Sequence, residues 1–378
     1  MSIGLFSPLQ LGPIALPNRI VLSPMCQYSA IEGLAQPWHR VHLGRYIASG
    51  LGLVMTEATH VSAQGRITPA CLGLYDEAHE AALAEIVRFH RAWAGGAPIG
   101  IQLAHAGRKG SSEVPWRGGA PLDDTRAWTT VAPSALRFDA HWPAPVALDA
   151  GGMARVRGEF VRAAERALGA GFDLVELHAA HGYLLHQFLS PLANRRDDGY
   201  GGARQRRMRF PLEVAAAVRA AWPKDRALGA RIPGYDWVPG DGLDVEDAIA
   251  FAAELKSLGF DFVDVSSGGV SPRQQIKTGP GYQVRFAAAV KAAVGLPTIC
   301  VGMIFDAHQA NAIVADGQAD AVMMARALLN DPLWVWRAAD ALDGDVAIPN
   351  PYLRGRRVGV DVPRELRPED VRRRAGVS

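Results

Sequence analysis

The chain has 378 residues, 49% of them hydrophobic and 21% charged, with 40 Lys and Arg set against 38 Asp and Glu for a net charge of +2. That length suits one large domain or two ordinary ones with a full apolar core. A charge balance so near zero argues against a nucleic-acid partner and against an anionic membrane surface. The three cysteines, Cys26, Cys71 and Cys300, are spaced too widely for a structural zinc or iron–sulfur set and point to a reducing compartment. The first eighteen residues carry no charge, but they lack a basic start, and Pro8, Pro13 and Pro17 break any apolar helix. No stretch is long and apolar enough to span a bilayer, so the cytoplasm is the expected location.

Residues 3–19 read as two short extended pieces joined at Gly12-Pro13, a hairpin that plugs one end of the domain. A rhythm then begins, in which apolar runs of about five residues alternate with amphipathic stretches of ten to eighteen. The expected strands are 20–23, 53–57, 98–103, 172–178, 226–232, 260–266, 297–301 and 321–324. The expected helices are 38–49, 78–93, 152–170, 204–222, 245–258, 283–293, 306–314 and 332–342, several ending at a glycine (Gly169 or Gly171, Gly259, Gly295). Eight strands each followed by a helix count out a (β/α)8 TIM barrel. A doubly wound open sheet is the alternative, though it rarely sustains eight regular repeats. Residues 104–150 interrupt the rhythm with Pro, Gly and Trp and read as a lid over the barrel mouth, with Trp116, Trp128 and Trp142 expected to be buried. Residues 1–355 thus form a single barrel domain, and the Arg-rich stretch 356–378 reads as a solvated, partly disordered tail.

In a barrel, every strand's carboxyl end faces one mouth. The run Phe172-Asp-Leu-Val-Glu-Leu-His178-Ala-Ala-His181-Gly-Tyr183 puts two imidazoles and a phenol there. If the chain turns into a helix after His178, then His181 lies one turn on and shares its face. Two donors and an acid in one pocket can hold a carbonyl oxygen and deliver a proton. The competing readings are a structural histidine and a metal pair completed by His186 or Glu176; the latter is disfavoured because Glu176 lies deeper in the strand. Glycines after the sixth and seventh strands (Gly268, Gly269, Gly302), with Arg326 after the eighth, suit a phosphate site. Arg231, at the end of the fifth strand, reads either as an ion pair with a barrel carboxylate or as a fixed charge beside a cofactor ring. Gln102 offers a donor and an acceptor to a ring edge, and Cys26 is either a buried small hydrophobe or a cofactor contact.

The motifs resemble those of the Old Yellow Enzyme family of flavin-dependent ene-reductases, from about Phe6 to Arg354. The most specific are His178-Ala-Ala-His-Gly-Tyr-Leu-Leu-His-Gln-Phe-Leu-Ser-Pro and Asn194-Arg-Arg-Asp-Asp-Gly-Tyr-Gly-Gly202. Ser23-Pro-Met-Cys-Gln-Tyr-Ser29 and Gln102-Leu-Ala-His-Ala-Gly-Arg-Lys109 are similar to the bacterial YqjM and xenobiotic reductase A-like subgroup. The resemblance implies non-covalent FMN, reduced by NADPH or NADH and contacted by Ser23, Pro24, Met25, Cys26, Ala58, Gln102, Arg231, Gly302, Ala325 and Arg326. It implies an enone or related electrophile held by His178 and His181, protonated by Tyr183 and touched by Tyr28. It further implies a homodimer or homotetramer in which Arg354 reaches a neighbouring site, with Tyr352 beside it. No metal is expected. One departure from the family pattern is Pro233, two residues after Arg231, where many relatives have serine. A barrel metallohydrolase and a non-catalytic flavin carrier are the alternatives from other classes.

Overall fold

The structure is a computed structural model that describes residues 3–123 and 125–355, the side chains of 353–355 excepted. The tail 356–378 lies outside the described residues.

Strands β1 (Leu9–Leu11) and β2 (Ile14–Leu16) pair antiparallel around Gly12-Pro13, as expected, with Gly12 at φ +53°. Then come β3 (Ile20–Leu22), β4 (Leu53–His60) and β5 (Ile99–Ala104), followed by a small parallel pair outside the barrel, β6 (Val131–Ala132) and β7 (Val146–Ala147). The remaining strands are β8 (Leu174–His178), β9 (Ala227–Pro233), β10 (Phe262–Ser266), β11 (Thr298–Cys300) and β12 (Ala321–Met324). Strands β3, β4, β5, β8, β9, β10, β11 and β12 pair in that order, all parallel, and β12 closes on β3. Their residues are buried throughout, as strands covered on both faces must be.

The large helices are α1 (Pro37–Ile47), α2 (Glu77–Trp93), α3 (Ala150–Ala170), α5 (Arg204–Ala221), α6 (Val245–Ser257), α7 (Val284–Val294), α8 (Ala307–Ala315) and α10 (Trp334–Leu342). Two further short helices, α4 (Leu184–Leu189) and α9 (Arg326–Asn330), follow β8 and β12. Local chemistry sets several of their ends. Asp76, Asp149, Asp244 and Asp306 accept backbone N–H groups at the starts of α2, α3, α6 and α8. Gly171 and Gly295 close α3 and α7 in the left-handed conformation. Gly169, by contrast, lies inside α3.

The barrel interior has two unlike ends. At the amino end, Leu11 and Leu16 of the hairpin join Met55, Leu174, Phe262 and Met323 in a closed apolar cluster. The hairpin is therefore the floor of the barrel. After β5 the chain makes 3-10 turns at Gly107–Lys109 and Pro115–Arg117, and Lys109 reaches the His181 carbonyl at the carboxyl end. The expected burial of the tryptophans in 104–150 fails at Trp116, which is 67% exposed and meets Tyr28 edge-on at 5.6 Å between ring centroids. Its indole finds one aromatic neighbour and open solvent where the sequence suggested a core position.

Candidate active site

Strand β8 delivers His178 to the mouth. The chain then turns on the spot instead of winding into a helix: His181 and Gly182 take φ +57° and +72°, and α4 begins only at Leu184. The helical spacing expected from the sequence is therefore wrong, although the two imidazoles do meet. Ring centroids lie 5.0 Å apart for His178 and His181, and 5.0 Å for His178 and Tyr183, both edge-to-face. A left-handed non-glycine residue is strained by about 1–3 kcal/mol and persists only where its surroundings hold it.

Several groups hold it here. Lys109 Nζ donates to the carbonyls of His181 (2.9 Å) and Gly269 (2.8 Å) and lies over the rings of Phe138 and Tyr183. Gly182 N–H donates to His186 Nδ1 at 2.8 Å, and His186 Nε2 donates to Asp236 at 2.8 Å, all three groups being buried. Gln187 Nε2 donates to the Gly182 carbonyl. A Cβ on Gly182 would stand 2.1 Å from the Gly269 oxygen, so glycine is required for the backbones to touch. Gly269, read from the sequence as part of a phosphate loop, instead packs its backbone against His181.

The hydrogen bonds set the tautomers. His178 Nδ1 accepts from the Ala180 N–H at 3.2 Å, which leaves its proton on Nε2, 3.3 Å from His181 Nδ1. His181 Nε2 lies 2.7 Å from Ser266 Oγ. That hydroxyl gives its own proton to Gln283 Oε1 at 3.2 Å, so it accepts from His181, whose proton therefore sits on Nε2. Burial pushes both imidazoles well below their ordinary pKa, followed by His181 and Arg231 for His178 and by Arg231 and Lys109 for His181. They are neutral donors at pH 7. Tyr183 is pushed the other way, by burial first and then by Cys26 and Tyr28, and keeps its proton.

The loop after β3 carries Ser23 to Tyr28. Glu57 on β4 ties it down by accepting the Gln27 N–H at 2.9 Å, next to His39 of α1 at 3.3 Å. A register shift between Met55 and Ala58 brings Ala58 opposite Gln102. Cys26, Tyr28 and Tyr183 pack together against Ile67, Cys71 and Ala106. Burial pushes the Cys26 thiol well up, so it stays a thiol. Pro24 and Met25 lie in the same loop, and Met25 packs on the barrel core.

Beneath the mouth lies a polar layer. Gln102 Nε2 donates to Glu176 Oε1 at 2.7 Å. Arg231 pairs with Asp264 through Nε and reaches Ser23 Oγ at 3.3 Å and the Met323 sulfur through its other end. The ion-pair reading of Arg231 is met, and the paired side chain also lines the mouth. Pro233, which cannot donate, occupies the last position of β9, and Gly234 N–H reaches the Ser266 carbonyl at 2.6 Å to continue the pairing. His186 and Glu176, the extra ligands of the metal reading, are engaged with Asp236 and Gln102.

A cleft opens beside these groups, lined by Ser23, His181, Arg231, Gly302, Ala325 and Arg326 among others. The donor set fits FMN: Gln102 and Arg231 in the polar layer for a polar ring edge, and Arg326 with the Gly302 backbone at the side for a phosphate. Gln283 was missed from the sequence. It accepts from both Ser266 and Ser267 and lines the cleft, but it precedes α7 with no motif around it. Lys109 ends one of the sequence motifs, where its position alone gives it no role. Arg354 lies in a 3-10 turn, Asn350–Gly355, and its side chain is outside the described residues; Tyr352 is 54% exposed and meets Trp336 edge-on.

Residues 4–344 match the model of the NADH:flavin oxidoreductase / NADH oxidase family. An NADPH dehydrogenase of Geobacillus thermodenitrificans is 42% identical over 357 residues, covering 94% of this chain and 99% of that protein. The NADPH dehydrogenase of Bacillus subtilis is 40% identical, covering 94% and 100%. Among solved structures, morphinone reductase superposes with a TM-score of 0.77 at 29% identity, covering 93% and 92% of the two chains. A complex of morphinone reductase with tetrahydroNAD gives 0.75 at 29% identity, over 92% of this chain and 93% of the other.

Proposed function

Because the chain belongs to the NADH:flavin oxidoreductase / NADH oxidase family, as an NAD(P)H-dependent FMN oxidoreductase of the Old Yellow Enzyme kind, we propose that it is an ene-reductase. Its substrates are α,β-unsaturated carbonyl compounds, with nitro compounds as a further class. The observation that carries this reading is the pair of neutral imidazoles, 3.3 Å apart at the end of β8, with a protonated phenol at 5.0 Å from His178.

FMN, when bound, would supply the hydride chemistry that links the nicotinamide to the β-carbon of the substrate. Ser23, Pro24, Met25, Cys26, Ala58, Gln102, Arg231, Gly302, Ala325 and Arg326 would hold it, with Arg231 as the fixed positive charge at the ring. His178 and His181 donate to the substrate oxygen, withdrawing electron density from the adjacent double bond. Neutral donors suit this role, because the charge that develops on the oxygen meets N–H dipoles already aimed at it in a water-poor site. Tyr183 then protonates the α-carbon. With an ordinary pKa near 10, raised here by burial, it holds a proton at any physiological pH and gives it up only to the strongly basic carbon centre that hydride addition creates. Tyr28, beside Cys26, forms one wall of the substrate site. Arg354 of a second copy completes that wall in a dimer or tetramer. Among the described residues no helix is long and apolar enough to cross a membrane.

The test is anaerobic rapid mixing of the flavin-loaded protein with NADPH and then with cyclohexenone. Flavin bleaching in the first step and recovery, with formation of the saturated ketone, in the second are expected. Bleaching without recovery would leave a flavin carrier or an NADPH oxidase, and the ene-reductase reading would fall.

A further inference from the structure

The polar layer under the mouth holds more negative charge than its one cation can balance. Glu176 on β8 and Asp264 on β10 are fully buried, and Arg231 lies between them on β9. Arg231 spends its Nε on Asp264 and its outer nitrogen on Ser23 and Met323. Glu176 is left with a single neutral partner, the Gln102 amide, and its Oε2 has none; Asp264 Oδ1 is likewise unpartnered. From β11, Cys300 faces Asp264 as a buried thiol, and from β8 itself His178 stands two residues up as a neutral ring. Among the described residues nothing else titratable or charged faces the pair.

We propose that Glu176 is a positioning residue for the flavin edge: its carboxyl decides which end of the Gln102 amide faces the mouth, and its proton answers the charge that arrives beside Arg231 when the flavin is reduced. The inference rests on the flavin reading given above.

A carboxylate can only accept. With Glu176 ionised, Gln102 must turn Nε2 inward, as it does here, and present its carbonyl oxygen outward to a ring N–H. A carboxylic acid can donate instead, so the amide is free to turn over and present N–H to a ring carbonyl. The proton on Glu176 and the face shown by Gln102 are thus one switch. Burial, with Asp264 adding and Arg231 opposing, pushes Glu176 up to about 8. Asp264 is also raised by burial, but it has the guanidinium in contact, so the shared proton belongs on Glu176. Negative charge placed beside Arg231 weakens that cation's pull and raises Glu176 further. Between the two values, flavin reduction takes up one proton that the flavin itself does not require.

The experiment compares FMN-loaded wild type with Glu176→Gln, which keeps the shape and the hydrogen bond but cannot titrate. Proton uptake per flavin is measured on reduction from about pH 6 to about pH 10, together with the reduced-minus-oxidised infrared spectrum and the FMN dissociation constant. In the wild type, uptake rises by one proton per flavin above about pH 8, and a protonated-carboxyl band shifts on reduction. In the variant the rise and the band are gone, and FMN binding loosens roughly 3- to 10-fold as the amide loses its preferred face. If wild type and variant show the same proton count and the same difference spectrum, Glu176 is structural only and the inference is wrong. The infrared measurement on 13C-glutamate-labelled wild type decides the matter even if the variant folds poorly. Failure of both proteins to bind flavin would sink the reading of the cleft and this inference with it.

Discussion

The two ends of this barrel are built from the same strands and do opposite things. At the floor, the β1–β2 hairpin and the inward side chains of the barrel strands make a closed cluster of leucines, methionines and Phe262, all of them buried. At the mouth the same strands lead into groups a stable core would avoid: strained His181, two carboxylate oxygens without partners, and a half-buried lysine set against carbonyls and aromatic faces. Each mouth feature costs on the order of 1–3 kcal/mol. The floor and the helix-covered outer faces of the strands, which bury Phe160, Val214 and Phe251 among many others, offset that cost. Strain and exposed chemistry at one end are sustained by ordinary packing at the other.

Substitutions at the two ends should therefore separate stability from chemistry. Tyr183→Phe at the mouth is expected to slow enone reduction by about 10²–10⁴-fold, while flavin reduction by NADPH and the melting temperature stay nearly unchanged. Equal loss in both half-reactions would remove the proton-donor role. Phe262→Ala at the floor is expected to do the reverse, costing about 3–5 kcal/mol in chemical denaturation with little effect on turnover of the protein that remains folded. A floor variant that stays stable would show that the cluster relaxes and does not carry the mouth. His178→Ala should weaken phenol binding about 10- to 100-fold, read by calorimetric titration of the flavin-loaded protein. Unchanged affinity would take the imidazole off the oxygen site.

A pH scan reads the buried imidazoles together. Burial lowers His178 and His181 well below their ordinary range, and His42, His60 and His105 to about 4, 4 and 3. Below pH ~6.5 the unfolded chain binds protons that the folded one refuses. Stability is therefore full above that pH and falls as pH drops through the histidine range, with a slope of more than one proton. Thermal melts between about pH 4.5 and about pH 8 check this, and a flat profile would mean that these rings are charged or exposed in the folded protein. The smallest effect expected is that of Cys26→Ser. The fold is retained and the flavin potential moves, because a polarisable thiol beside the ring is replaced by a hydroxyl; an unmoved potential would return Cys26 to the core.

The repeat was legible because each βα unit carries its own signal, an apolar run ending at a glycine or an aspartate cap. So was the list of mouth residues, since position at a strand's carboxyl end needs only the strand count. The turn after His178 was not. A left-handed residue other than glycine leaves no composition mark. Only the contacts of Lys109 and Gly269, both distant in sequence, and of His186 from α4 show why His181 adopts it. Glu176 and Asp264 look in the sequence like stray polar residues in apolar strands. Their meaning depends on the register that sets Gln102 beside one and Arg231 beside the other. Trp116 was misread for the converse reason, as bulk in a lid was taken to mean burial. The partner-site role of Arg354 was carried by motif alone.

The central claim is geometric, and a crystal structure of the FMN-loaded protein with a bound phenol tests it most directly. The phenol oxygen should lie within hydrogen-bond reach of both His178 and His181, with the planar ring system stacked beneath it and its edge against Gln102 and Arg231. A phenol bound elsewhere, or an ion held between the two imidazoles, would contradict the account.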